Sequence, residues 1–131
     1  MRIKEYSAQS VSRNGFTLVE ILVVVSIVGL LATIAVCNFM VARDSSRLHT
    51  IRHNLGTIEA AKEQWAFDNR KAEGADVGDV TVLSSYFSGG HVCQVVNETY
   101  VPNPIGTSAE AALPAGVTLG PYPAGSSIPA P

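Results

Sequence analysis

Gly15-Phe16-Thr17-Leu18-Val19-Glu20-Ile21-Leu22-Val23-Val24-Val25 decides the fold, because it sets one carboxylate at the head of a long apolar run. Between Phe16 and Val41, Glu20 is the only charged residue. A helix of that length can cross a hydrocarbon core of ~30 Å. A charged side chain at the centre of such a helix costs roughly 2.5–3.5 kcal/mol on insertion scales, and less near the interface. An ionisable residue in this setting is a functional-site candidate that needs a partner. As a first-turn acid, Glu20 also complements the helix dipole by ~0.3–1 kcal/mol. That effect alone does not account for a charge at the head of a span.

Upstream, the segment Met1 to Gly15 is polar and carries Arg2, Lys4 and Arg13 against Glu5, a net charge of +2. A secretory signal peptide has a short apolar core closed by a small-residue cleavage site. Here the apolar stretch is longer, and no Ala-x-Ala site closes it. A cut before the apolar stretch fits better than a cut after it.

The basic leader, the glycine, Phe16-Thr17-Leu18-Val19-Glu20 and the apolar helix together resemble the processing site of type IV prepilins and type II secretion pseudopilins. The resemblance implies that a membrane prepilin peptidase cuts between Gly15 and Phe16 and that Phe16 is then N-methylated. It implies that Glu20 pairs with the Phe16 ammonium of a neighbouring subunit during assembly. The physics is consistent with that implication, because a buried charge is far less costly paired than alone. Removing the leader takes the formal net charge from −2 to −4.

Beyond the span the pattern turns amphipathic. Leu48, Ile51, Leu55, Ile58 and Trp65 recur at helical spacing, with Lys62 at a skipped apolar position and Ala61 beside it. Asp44, Arg47, Asn54, Glu63 and Asp68 fall on the polar side. Asp44–Arg47 and Glu59–Lys62 are i,i+3 pairs, each contributing ~0.2–0.5 kcal/mol. One helix is therefore expected from Phe16 to Asp68, weakened at Gly29 and Gly56 by ~1 kcal/mol each. Gly29 either permits close helix–helix approach or is only a helical glycine. Many relatives by this resemblance carry a proline near Cys37, where this chain has Val36-Cys37-Asn38.

The pattern breaks after Asn69 into a loop. Asp79 is placed to cap a short second helix over Val80–Phe87, ended by Gly89-Gly90, with a strand over Val80–Leu83 as the rival reading. Val92–Val96, Thr99–Val101 and Gly116–Leu119 are strand candidates, the middle one demoted to an edge by Pro102 and Pro104. From Pro121 the proline-rich tail is expected to be extended and mobile unless docked. Residues 58–69 with Leu83, Tyr86-Phe87 and Gly89-Gly90 also resemble small pseudopilin-like proteins built as a helix with a loop-and-strand cap.

No catalytic constellation is visible, so the chain reads as a non-enzyme with no cofactor. His49 and His53 share a helix face, but no third ligand is evident and solvated side chains are the favoured reading. Asp76 and Asp79 lie in a glycine-containing acidic loop. By the resemblance, major pseudopilins bind calcium in an acidic loop nearer the C-terminus, so this loop is thin support for a metal and none is assigned. Arg43, Arg47 and Arg52, with His49 and His53, suit lipid head groups before assembly better than nucleic acid. Cys37 and Cys93 lie too far apart in sequence and setting to be assigned an intrachain disulfide. Asn97-Glu98-Thr99 matches a glycosylation sequon, to which the implied bacterial setting gives no meaning.

The sequence thus describes an α+β chain. Residues 1–15 are the leader, 16–41 the membrane and filament-core half of a long helix, 42–68 its amphipathic half, 69–120 a small cap and 121–131 the tail. The resemblance implies a bacterial inner-membrane precursor that polymerises with itself on an assembly platform into a periplasmic or extracellular filament. A minor or tip subunit that binds a surface, DNA or cargo, and an anchored domain that never polymerises, are the competing readings.

Overall fold

A computed structural model describes residues 15–131. Arg2, Lys4, Glu5 and Arg13 of the leader lie outside the described residues. The chain forms helix α1 (Leu18–Asp68), a short 3₁₀ helix (Val80–Tyr86) and three strands, β1 (Thr99–Val101), β2 (Glu110–Ala112) and β3 (Ser127–Pro129). It divides into two units, one ending at Cys37 and the other running from Asn38 to Pro131.

In the first unit α1 is apolar on every side, and it is the one described helix long and apolar enough to cross a membrane. Its two central hydroxyls bond within the helix, Ser26 Oγ to the Leu22 carbonyl and Thr33 Oγ1 to the Leu30 carbonyl, each at 2.7 Å. Both hydroxyls are thus satisfied within the helix.

In the second unit the predicted stripe on α1 becomes the core. Ile51, Leu55 and Ile58 are fully buried and pack with Val77, Leu83, Leu113, Leu119 and Ile128. The sheet is antiparallel in the order β1-β2-β3. Its register aligns Tyr100 with Ala111 and Ala111 with Ile128. Side chains alternate across a strand, so this single cross-strand row is buried while its neighbours face outward. β1 is an edge strand, as its flanking prolines predict.

The helix over Val80–Tyr86 forms, but as a 3₁₀ helix, and the rival strand does not. Asp79 caps it by accepting a hydrogen bond from the Thr81 N–H. Leu83 and Phe87 turn into the core as the pattern predicts.

Three expectations are corrected. Val92–Val96 is not a strand: the Val95 and Val96 N–H groups are taken by the Glu98 carboxylate, and Asn97 turns the chain at φ 60°. Gly116–Leu119 is not a strand either. Leu119 pairs only with Tyr122 across a tight turn, through N–H···O bonds of 2.9 and 3.1 Å. The tail is docked rather than mobile. It supplies β3 and buries Ile128 completely, and Ala130 N–H donates to the Ala109 carbonyl at 2.8 Å.

Two polar residues of α1 are drawn into the fold: Asn54, expected on the polar side, and Lys62, at the skipped apolar position of the stripe. Asn54 donates to the Tyr100 hydroxyl at 2.8 Å and to the Cys93 carbonyl at 2.9 Å. Lys62 is only 1% exposed and donates to the Thr107 carbonyl at 2.7 Å. Its ammonium lies 3.2 Å from the Glu59 carboxylate.

Candidate functional site

The candidate site is the head of α1. Gly15 and Phe16 are exposed and precede the helix, which begins at Leu18. The Gly15–Phe16 bond is thus exposed and outside the helix.

Thr17 and Glu20 form a reciprocal cap. The Glu20 N–H donates to Thr17 Oγ1 at 3.2 Å, and the Thr17 N–H points back to Glu20 Oε2 at 3.5 Å. The Thr17 carbonyl accepts from the Ile21 N–H at 3.3 Å, so Thr17 stands at the N-cap and Glu20 at N3. This Thr-x-x-Glu capping box satisfies two of the helix's otherwise orphaned donors. Thr17 was not singled out by sequence reasoning, although the four-residue signature was available.

The cap satisfies backbone donors but brings no cation to the carboxylate. Glu20 is exposed, and among the described residues no cation lies in salt-bridge reach of it. It stands at the start of a helix whose apolar side chains, Leu18 to Val41, are all solvent-exposed in the single chain. Such a surface needs lipid or protein around it.

The other candidates separate. His49 and His53 are exposed on α1, and Asp76 and Asp79 spend their carboxylates on the Gly78 and Thr81 N–H groups. Among the described residues no three His, Cys, Asp or Glu side chains converge as metal ligands. Arg47 pairs with Asp44 at 3.8 Å, whereas Arg43 and Arg52 are exposed. Cys37 and Cys93 are both free and exposed.

The prokaryotic N-terminal methylation motif matches residues 11–36, which include the head of α1 and its cap. Over 60 residues the chain is 35% identical to type II secretion system core protein G of Klebsiella michiganensis, a stretch that covers 46% of this chain and 42% of that protein. The chain thus spans less than half the length of this curated relative. No solved structure gives a significant match. The motif, the relative and the long apolar helix support the type IV pilin and pseudopilin family, and they fit an inner-membrane-anchored precursor.

Proposed function

We propose that this chain is a structural subunit of a helical filament of the type IV pilus or type II secretion pseudopilus kind, and not an enzyme. A prepilin peptidase removes the leader by cutting between Gly15 and Phe16, and Phe16 is N-methylated. An inner-membrane assembly platform then moves the chain from lipid into a polymer of its own copies. The transfer keeps apolar surface buried while exchanging lipid for protein neighbours, so its hydrophobic cost is small.

One observation carries this reading: Glu20 heads an apolar, solvent-exposed helix with no cation in reach among the described residues. Cleavage after Gly15 creates a cation on Phe16, and the Phe16 ammonium of an adjoining copy supplies the complement that Glu20 does not find among the described residues. A low-dielectric setting makes such a pair strongly directional and fixes the axial register between copies. The name of the relative favours the secretion pseudopilus within this reading.

Intact mass and N-terminal sequence of the protein from its native host test the proposal, with the sheared surface fraction analysed separately. A chain that begins at Phe16, one methyl heavier, supports it. Abundance in the sheared fraction assigns a surface pilus, and retention in the envelope assigns a pseudopilus. A chain that still begins at Met1 overturns it in favour of an anchored domain that does not polymerise.

A further inference from the structure

A second constellation lies in the loop after the 3₁₀ helix. Cys93 Sγ stands 3.6 Å from His91 Nε2. The other ring nitrogen, Nδ1, is 2.9 Å from the Gly89 carbonyl. A carbonyl oxygen only accepts, so Nδ1 carries the proton and donates it there. A neutral imidazole has one N–H, so Nε2 presents its lone pair to the thiol, and the S–H donates to it.

The arrangement is a nucleophile, a base in reach of it, and a third group that orients the base. These are the elements by which weak nucleophiles are activated. The loop is held in place from behind, because Asn54 on α1 donates to the Cys93 carbonyl at 2.9 Å. Asn54 is itself tied to the buried Tyr100. The thiol stays exposed at the edge of a cleft of about 420 Å³, lined by His53, Asn54, Thr57, Phe87, His91 and Cys93. Around the sulfur the titratable groups are His91 from its own loop, His53 from α1 and, behind them, Tyr100 with Glu98 from β1 and its approach. Cys37 makes no comparable contact with an imidazole among the described residues.

We propose that Cys93 is an activated thiol that exchanges with low-molecular-weight disulfides at this cleft, with His91 as its base. The Cys93 proton passes to His91 Nε2. The sulfur then bonds to one sulfur of the disulfide as the S–S bond breaks. The departing thiolate takes a proton from the imidazolium. Cys93 is oxidised to a mixed disulfide and the departing sulfur is reduced to a thiol, so no further oxidant is required. The inference does not depend on filament assembly.

The experiment uses the full chain in detergent with Cys37→Ser, so that Cys93 is the only thiol, and glutathione disulfide as the probe. Adduct formation is followed by intact mass from pH 6 to pH 10. An unassisted cysteine is only a few per cent thiolate at pH 7. His91→Ala and His91→Gln are therefore expected to slow exchange roughly fivefold or more at pH 7. The gap should close above about pH 9.5, where an ordinary thiol ionises unaided. Equal rates for the three proteins at pH 7 overturn the proposal. A slowing that is the same at every pH also overturns it, because it marks a displaced loop rather than a lost base.

Discussion

Tyr100 donates its phenolic proton to Glu98 Oε1 at 2.6 Å, and this short bond lies at the centre of the polar network beneath the sheet. Glu98 is fully buried, yet its carboxylate is well supplied with donors. Val95 and Val96 N–H groups approach it at 3.0 and 2.8 Å, and the Tyr100 hydroxyl accepts from Asn54 on α1. One acid thus shapes the loop at 92–97 and ties it to β1, and through Tyr100 to the helix.

The network sets a pH window. Burial pushes the Glu98 carboxyl up, but hydrogen bonds from Tyr100, Val96 and Val95 outweigh it and hold the group below its ordinary value of 4.5. A depressed acid stabilises the fold above its unfolded value, and that contribution is lost as pH falls through the folded one. Tyr100 is displaced upward, first by burial and then by its bond to Glu98. A raised phenol keeps its contribution below its ordinary value of 10.0 and loses it as pH rises through the folded one. Melting temperature of the full chain in detergent should therefore be flat from about pH 5 to about pH 9 and fall on both sides. Glu98→Gln should flatten the acid limb. Glu98→Ala leaves several buried donors unmatched, each costing ~1–3 kcal/mol. An acid limb unchanged in the Gln variant would count against this account.

Lys62 and Glu59 should respond asymmetrically to mutation. Lys62 is buried and leans on Glu59, whereas Glu59 is half-exposed and also accepts from the Ala109 N–H. Glu59→Ala strands a buried ammonium on one carbonyl, a change of about 3–5 kcal/mol. Lys62→Met leaves a solvated carboxylate that still holds Ala109, and an apolar chain of similar length fills the space. Its effect should be about 1 kcal/mol or less in urea unfolding. Equal losses in the two variants would show that Glu59 does not compensate the buried charge.

Some of this was legible in the sequence and some was not, for physical reasons. The long apolar helix, the stripe Ile51-Leu55-Ile58 and the Asp79 cap follow from composition and local spacing, and the structure has all three. β2 was missed because Glu110-Ala111-Ala112 has no strand propensity of its own; it is a strand because it pairs on both sides and buries Ala111. The valines at 92, 95 and 96 have that propensity, but the Glu98 carboxylate, two to three residues on, takes the Val95 and Val96 N–H groups and folds the segment into a turn instead. The burial of Lys62 depends on Thr107, far along the chain, and no local pattern reports it. At the candidate site, Glu20 stood out as a charge in an apolar setting, and Gly15 and Phe16 came from the resemblance, whereas Thr17 stood within the same motif without a role.

The tail should be structural. Ile128 is fully buried and its strand closes the sheet beside β2. Ile128→Ala should lower stability by about 2–5 kcal/mol, as for other buried aliphatic truncations. Deleting residues 126–131 should destabilise further and increase hydrogen exchange at Ala111 and Leu113, whose partners include Ile128 and the Ser126 carbonyl. Wild-type melting after the deletion would show that β3 contributes nothing.

Thr17 and Glu20 allow the cap to be separated from the proposed charge pairing. Glutamine at N3 can still serve a capping box, so Glu20→Gln keeps the helix start and removes only the charge. Thr17→Ala removes the capping oxygen at about 0.5–2 kcal/mol and leaves the carboxylate in place. If Glu20 acts by pairing with the Phe16 ammonium of another copy, Glu20→Gln should be cleaved after Gly15 and fail to assemble, like Glu20→Ala. Thr17→Ala should be cleaved and assemble in reduced yield. Filament yield in sheared or cross-linked fractions, with mass spectrometry of the processed N-terminus, reads both steps. The reverse outcome, in which Glu20→Gln assembles normally and Thr17→Ala does not, would make the carboxylate a helix cap and remove it from assembly.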